Sequence, residues 1–249
     1  MNTDAVVSGV IVTGSSRGIG AAVGRQLARA GYGVCINYLE NAGRAANVVR
    51  EIEDAGGRAF AFQGDVASYG DVERMVAQTA DRYGGIRVIV NNAGFSQHRT
   101  LEQMLLEDWN RALAVNLSAA MYTAKASLDH LRREPWARIV NICSLRAMTG
   151  SDHGSHYAAA KAGLIGLTKS LALELGPQIT VNAVSPGYTR TEMNAAALAK
   201  NEDKIVAKIP AGRVAEPSDI AALVCFLASE EAGYITGETI NDNGGIYVR

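Results

Sequence analysis

The stretch Val6-Val-Ser-Gly-Val-Ile-Val-Thr-Gly14-Ser-Ser-Arg17-Gly18-Ile-Gly20 decides the fold. Its first half is a short β-branched run, too continuous to be half-exposed, and predicts a strand from Val6 to Thr13 buried on both faces. Its second half breaks that strand with glycines and opens a helical pattern through Val23, Leu27 and Ala30, which Gly31 stops. The same alternation repeats outward. Gly33 to Leu39 reads as a second buried strand, and Asn41 to Ala55 as a helix through Val48, Val49 and Ile52. Strand Ala59–Gln63, helix Val72–Tyr83 and strand Arg87–Asn91 follow, then one long helix from about Leu106 to Leu131. Next come strand Arg138–Cys143, helix Ser155–Leu175, strand Thr180–Val184, helical segments over Glu192–Lys208, helix Pro217–Ala228 and a short strand around Glu238–Asn241. Apolar strands alternating with helices predict an α/β fold, a doubly wound parallel sheet of about seven strands covered on both faces.

No linker, repeat or low-complexity tract divides the 249 residues, so 1–249 reads as a single Rossmann-type domain for dinucleotide binding and catalysis. The segment 188–213 is longer than a simple connection and reads as a mobile lid between the sixth and seventh strands. A formal net charge of −1 with scattered Lys and Arg carries no nucleic-acid or membrane-surface footprint. The start carries an acid and no basic region, unlike a signal peptide, and no apolar run approaches a membrane span. Cys35, Cys143 and Cys225 lie in apolar segments without metal-ligand spacing, as expected of reduced thiols in a cytoplasmic protein that holds no metal.

The glycine pattern after the first strand is Gly-x-x-x-Gly-x-Gly. A tight turn there opens a helix whose unpaired N–H groups and positive dipole end suit a pyrophosphate, although an ordinary strand–helix turn would look similar. The second strand bears on NAD against NADP. A carboxylate at its end accepts both ribose hydroxyls and repels a 2′-phosphate. Here it ends Ile36-Asn37-Tyr38, uncharged, while Arg17 stands inside the glycine loop and Glu40 reads as solvated in the next turn. The balance favours NADP(H), with NAD(H) as the alternative.

A second stretch, Ser144 to Lys161, carries candidate chemistry. An apolar run delivers Ser144 at its end, and the following helix places Tyr157 and Lys161 at i, i+4, a phenol and an ammonium one turn apart on one face. Alone, Tyr-x-x-x-Lys is weak and fits an amphipathic face; Ser144 alone fits a strand-end turn, and Asn116 a buried structural amide.

Together with Thr13-Gly14-Ser-Ser-Arg-Gly18-Ile-Gly20, Asp65-Val66, Asn91-Asn92-Ala93-Gly94, Asn116 and Pro186-Gly187, in order and in register, the chain resembles the short-chain dehydrogenase/reductases. It is most similar to 3-oxoacyl-[acyl-carrier-protein] reductases and their paralogues. The resemblance implies an enzyme that interconverts a ketone and a secondary alcohol, commonly as a homotetramer built through its two long central helices. Tyr157 would be the general acid–base group. Bringing a phenol from its ordinary pKa to about 7 takes roughly 4 kcal/mol, for which Lys161 and an oxidised nicotinamide are a physically adequate source. Ser144 would hold the substrate oxygen, Lys161 the nicotinamide ribose, and Asn116 a water leading to solvent. Gly14, Ser15, Ser16, Arg17, Gly18, Ile19 and Gly20, with Asn37 and Tyr38, would hold the adenosine end. Asp65 and Val66 would meet the adenine, and Asn91, Asn92, Ala93 and Gly94 would flank the cofactor. Pro186 and Gly187 would begin a stiff loop whose Thr189 and Thr191 reach the carboxamide, although Thr191 equally suits a helix N-cap.

The expected substrate pocket, Phe95–Arg99, Leu145–His156 and the lid, is more polar than a fatty chain needs: Gln97, His98, Arg146, Asp152, His153, His156. Arg146 could meet an anionic or hydroxylated substrate, or point to solvent. The family's carrier-protein reductases present a basic residue just before the sixth strand, where this chain has the uncharged Gly176-Pro177-Gln178-Ile179; Arg132 and Arg133 could supply such contacts. A 3-oxoacyl thioester, linked to a carrier protein or to CoA, leads. A polar ketone, sugar or polyol is the alternative, and a non-catalytic dinucleotide sensor the alternative of another class.

Overall fold

The computed structural model describes residues 7–248. Val6, where the sequence starts the first strand, and the first residues read for a leader lie outside the described residues. Strands β1 (Gly9–Val12), β2 (Gly33–Tyr38), β3 (Arg58–Gln63), β4 (Ile86–Asn91), β5 (Ala137–Ile142), β6 (Ile179–Pro186) and β7 (Thr239–Asp242) form one sheet of 7 strands in the order β3-β2-β1-β4-β5-β6-β7. Every pairing is parallel.

Continuous apolar strands are needed because each face is covered. Val10 and Val12 face one cluster, with Val23 and Leu27 of α1 (Gly18–Arg29), Val48 and Ile52 of α2 (Ala42–Asp54), and Val224 and Leu227 of α9 (Pro217–Leu227). Ile11, between them, faces the other, with Met75 and Val76 of α3 (Tyr69–Tyr83), Leu131 of α5 (Ala119–Arg133) and Ala172 of α7 (Ser155–Leu175). Fully buried side chains such as Ile11 and Leu27 each contribute about 1.5–3 kcal/mol. The chain runs from β1 outward to β3, then returns to β4 and runs the other way. That reversal leaves a crevice beyond the carboxyl ends of β1 and β4, the place where doubly wound sheets bind ligands.

The expected long helix over Leu106–Leu131 is interrupted. Helix α4 (Leu106–Leu113) passes into a π turn (Ala114–Ser118) before α5 resumes, so one extra residue is accommodated at Asn116. A short helix α6 (Arg146–Thr149) interrupts the loop after β5, and the segment 188–213 carries α8 (Glu192–Val206). All three cysteines are free, and burial pushes Cys35 and Cys225 up to about 12. Among the described residues no helix is long and apolar enough to cross a membrane, and no group of three His, Cys, Asp or Glu is placed to hold a metal ion.

Candidate active site

The glycine loop is pinned from two sides. Asn37 Oδ1 accepts from the Gly14 N–H at 3.0 Å, and its Nδ2 donates to Gly64 O at 3.1 Å. Asn92 Nδ2 donates to the carbonyls of Thr13 and Gly14, while Thr13 Oγ1 accepts from the N–H groups of Asn92 and Ala93. A Cβ at Gly14 would stand 2.8 Å from Ala93 Cα, and one at Gly20 2.4 Å from Asn92 Nδ2, so the loops after β1 and β4 meet closely enough that only glycine fits. Gly14 and Gly18 have φ of +59° and +56°, which glycine adopts freely. Arg17 caps α1 without a side-chain hydrogen bond, and no acid occupies the first turn. The leading N–H groups and the positive end of the dipole are therefore available to an anion, and the cradle fits a dinucleotide pyrophosphate.

Several expected cofactor residues have their side chains engaged within the protein. Asn37 is buried and tied as described, Ser15 Oγ donates to Val12 O at 2.6 Å, and Thr189 Oγ1 donates to Gly187 O at 3.2 Å. Asn91 belongs to a chain beneath the crevice: Thr123 Oγ1 donates to Asn91 Oδ1, Asn91 Nδ2 to Asn141 Oδ1, and Asn141 Nδ2 to Thr168 Oγ1. The reason is register, since Asn91 and Asn141 are direct neighbours across β4 and β5. Val66 packs with Val115 and Ala119. Asp65 accepts from the Ala67 N–H and pairs with Arg111 at 2.9 Å. These side chains shape the cleft, and the groups they leave facing a ligand are largely backbone. Ser16, Ile19 and Tyr38 are partly exposed around the same loop.

Ser144, Tyr157, Lys161 and Asn116 come together beyond β4 and β5. Ser144 Oγ accepts from the Arg146 N–H at 3.1 Å, so the start of α6 orients the hydroxyl. Lys161 is 3% exposed; its Nζ donates to Ile142 O at 2.7 Å and lies 5.8 Å from the Tyr157 ring centroid. Burial brings the ammonium down to about 8. Burial pushes the Tyr157 phenol up, and the groups that draw it back are the Ser144 hydroxyl, through a hydrogen bond, and the Arg146 charge. Ser144 and Arg146 thus act beside the two sources that the resemblance implies, Lys161 and an oxidised nicotinamide; Lys161 itself donates its nearest bond to Ile142.

The π turn points Asn116 inward. Its Nδ2 donates to Phe95 O and Ala112 O, each at 3.1 Å, while Oδ1 is buried without a partner. A cavity of about 10 Å³, bounded by Thr13, Ala93, Asn116 and Lys161, adjoins it, roughly the room one water needs. A buried amide oxygen beside such a space suits a proton path from Lys161.

At the rim, the His98 and His153 rings lie 4.0 Å apart, and His153 pairs with Asp152 at 2.6 Å. His156 is a correction: expected in the pocket lining, it is fully buried, its ring nitrogens lack partners, and burial holds its pKa down. The helix begins at Ser155, so the 100° step per residue turns His156 away from the side that Tyr157 occupies. The start of α8 lies against the glycine loop. Thr191 Cγ2 is 3.4 Å from where a Cβ of Gly18 would stand, and Glu192 pairs with Arg17 at 2.6 Å and with Arg44. Thr191 is the N-cap residue of α8 but makes no capping bond. Gly187 packs against Asn243, 2.9 Å from its Cα to a notional Cβ, which fixes the turn after Pro186. Sequence reading missed Arg44 and Glu192. A basic residue in a first helical turn, against the dipole, was the available signal for Arg44.

Residues 14–247 match the family model described as enoyl-(acyl carrier protein) reductase. A 3-oxoacyl-[acyl-carrier-protein] reductase of Staphylococcus epidermidis is 39% identical over 239 residues, 96% of this chain and 98% of that protein. One from Synechocystis is 40% identical over 238 residues, 95% of each. Among solved structures, a dehydrogenase/reductase from Sinorhizobium meliloti superposes with a TM-score of 0.90 at 39% identity, covering 97% of this chain and 95% of that one. A Brucella melitensis protein described as a short-chain dehydrogenase/reductase and glucose/ribitol dehydrogenase gives 0.90 at 32% identity, covering 97% of each.

Proposed function

The chain belongs to the short-chain dehydrogenase/reductase family of nicotinamide-dependent oxidoreductases, and from that premise we propose that it is an NADP(H)-dependent 3-oxoacyl thioester reductase. The observation that carries the reading is the convergence of Asn116, Ser144, Tyr157 and Lys161 beside an uncapped helix N-terminus that fits a pyrophosphate. In this reading the Gly14–Gly20 loop, the loop after β4 and Pro186–Thr191 hold the cofactor, and Lys161 holds its nicotinamide ribose. When bound, the reduced nicotinamide would supply the hydride that the carbonyl carbon takes up. Ser144 donates a hydrogen bond to the carbonyl oxygen and stabilises the charge that grows there. Tyr157 gives that oxygen its proton, and Lys161 and Asn116 return a proton through the small cavity.

Preference for NADP(H) is supported by the uncharged end of β2 at Tyr38 and by Arg17. The 3-oxoacyl substrate is supported by the relatives' names. The rim of Gln97, His98, Arg146, Asp152 and His153 favours a second reading, a polar ketone, sugar or polyol, with the same chemistry. A non-catalytic dinucleotide sensor has no use for the Tyr157 acid. We place the enzyme in the cytoplasm, as one unit over 1–249 with a lid over 188–213. We also place it in a homotetramer, supported by the exposed Ala159, Ala162, Gly166 and Leu173 along α7; light scattering in solution tests this.

The deciding experiment follows NADPH absorbance with a panel of 3-oxoacyl thioesters, diketones and keto sugars. Fastest oxidation with thioesters is the expected result. Faster oxidation with keto sugars moves the assignment to the second reading, and tight NADPH binding without oxidation to the sensor.

A further inference from the structure

We propose that His156 is a positioning residue: held neutral where α7 meets α4 and the loop after β4, it seats the helical turn that carries Tyr157, and a proton on its ring unseats that turn and slows the reaction. The proposal rests on the reading of Tyr157 as the proton donor in ketone reduction. Its observation is a fully buried imidazole, one residue before Tyr157, whose Nδ1 and Nε2 both lack a hydrogen-bond partner. A neutral ring without partners is costly to bury, and an imidazolium costs far more.

The turn that His156 seats has little else to hold it. Helix α7 begins at Ser155 after Gly154, which offers no side-chain cap, and no acidic residue occupies its first turn. The Ala158 N–H bonds to Gly154 O at 3.0 Å, so Tyr157 lies inside this first turn. From outside the helix, the Arg99 N–H donates to His153 O at 2.9 Å, and Arg99 pairs with Gly154 as an isolated bridge. The buried ring of His156 is the anchor on the inner side, where α4 packs against α7.

Two charged groups face that ring, Asp108 from the first turn of α4 and Arg99 from the loop after β4. Asp108 favours a proton on it and Arg99 opposes one, but burial outweighs both and holds the imidazole below its ordinary pKa of 6.5. Asp108 is already engaged. Its Oδ2 accepts from the Leu105 N–H and from Arg99 Nε, each at 3.3 Å. Drawing Asp108 toward a protonated His156 therefore loosens Arg99, whose backbone holds His153. Expelling the charged ring to water opens the same turn directly. Either route displaces Tyr157.

The sign of the pH effect separates this device from the chemistry. Tyr157 stays protonated in acid, so the donor gives no reason for ketone reduction to slow as pH falls. His156 gives one. An unseated ring takes its proton at about 6.5 and a seated ring only at lower pH. Between those values each pH unit lowers the ratio of seated to unseated turns by about tenfold.

The test compares wild type and His156→Gln at about pH 7.5 and about pH 5.5, either side of the ordinary imidazole range. The ketone that oxidises NADPH fastest is the substrate, and amide hydrogen exchange over 155–158, corrected for the intrinsic rate, is followed in the same samples. In the wild type, kcat falls about tenfold in acid, the KM for NADPH holds, and protection of the turn falls with kcat. In His156→Gln both stay level, whereas a merely structural role lowers activity equally at the two pH values. His153→Gln, which removes the neighbouring imidazole, keeps the wild-type fall. Level kcat or unchanged protection of the wild type in acid overturns the inference, as does a fall that His156→Gln shares. If no ketone is reduced at either pH, the ketoreductase reading fails, and exchange over 155–158 alone decides whether His156 seats the turn.

Discussion

Asn116 Oδ1 and Lys161 Nζ face a common space that Gly94 keeps open: a Cβ on Gly94 would stand 2.7 Å from the first and 3.5 Å from the second. Neither atom reaches the other, since Lys161 bonds Ile142 O and Asn116 Oδ1 has no partner. The space is the size of one water and lies where a proton must travel if Tyr157 is to be recharged after each turnover.

Gly94→Ala fills that space. Asn116 is held by two hydrogen bonds from its other end and cannot retreat freely. The substitution is expected to cost about 1–3 kcal/mol of stability, as overpacking does, and to lower kcat about tenfold or more through the broken path. Urea midpoints and steady-state kinetics read the two effects. A variant as stable and as active as the wild type shows that the space has no use.

Burial of Lys161 gives stability a pH dependence of defined sign. Its ammonium falls from the ordinary 10.5 to about 8 in the folded protein, so between those values the unfolded chain binds more protons and stability rises with pH. Below pH 8 both states are protonated and the burial cost is felt in full. The wild type should therefore gain on Lys161→Met by an amount on the order of 3 kcal/mol as pH climbs through that window. Urea midpoints of both proteins at each end of it provide the check; parallel curves would mean that Lys161 keeps an ordinary pKa.

The fold was legible because its determinants are local. Val10, Ile11 and Val12 alternate between two clusters, and Ser155–Leu175 forms over the span its composition predicts. Ser144, Tyr157 and Lys161 stood out by a different route, their register with the other family motifs, since a strand end and a helical spacing alone are weak signals. Features set by distant neighbours were not legible. The π turn at Asn116 shifts the hydrogen-bond ladder by one residue and leaves the apolar pattern intact. Nothing in β4 alone announces that the Asn91 side chain is tied to Asn141 beside it. Glu192 and Arg44, 148 positions apart, meet only when the lid folds over the first loop.

Tyr38 stands at the end of β2, where a carboxylate would accept both ribose hydroxyls and repel a 2′-phosphate. Tyr38→Asp is expected to lower the NADPH-over-NADH ratio of kcat/KM by about 10–100-fold, one to two charge-assisted interactions. An unchanged ratio would place the discrimination elsewhere.

Tyr157→Phe removes one oxygen and leaves the ring that Lys161 packs beside. The glycine loop, Asn37 and Asn92 are untouched, so NADPH fluorescence should report binding near the wild-type Kd. Ketone reduction should fall by about 10²–10⁴-fold, the ordinary worth of a positioned general acid. The phenol is raised by burial and drawn back by Ser144 and Arg146, so two further variants separate its supports. Ser144→Ala should raise the pH at which alcohol oxidation reaches its plateau, because the neighbour that favours the phenolate is gone, and Arg146→Gln should do the same by a smaller step. Near-normal turnover in Tyr157→Phe would show that the proton comes from another group, and an unmoved plateau in Ser144→Ala would show that its hydroxyl serves the substrate alone.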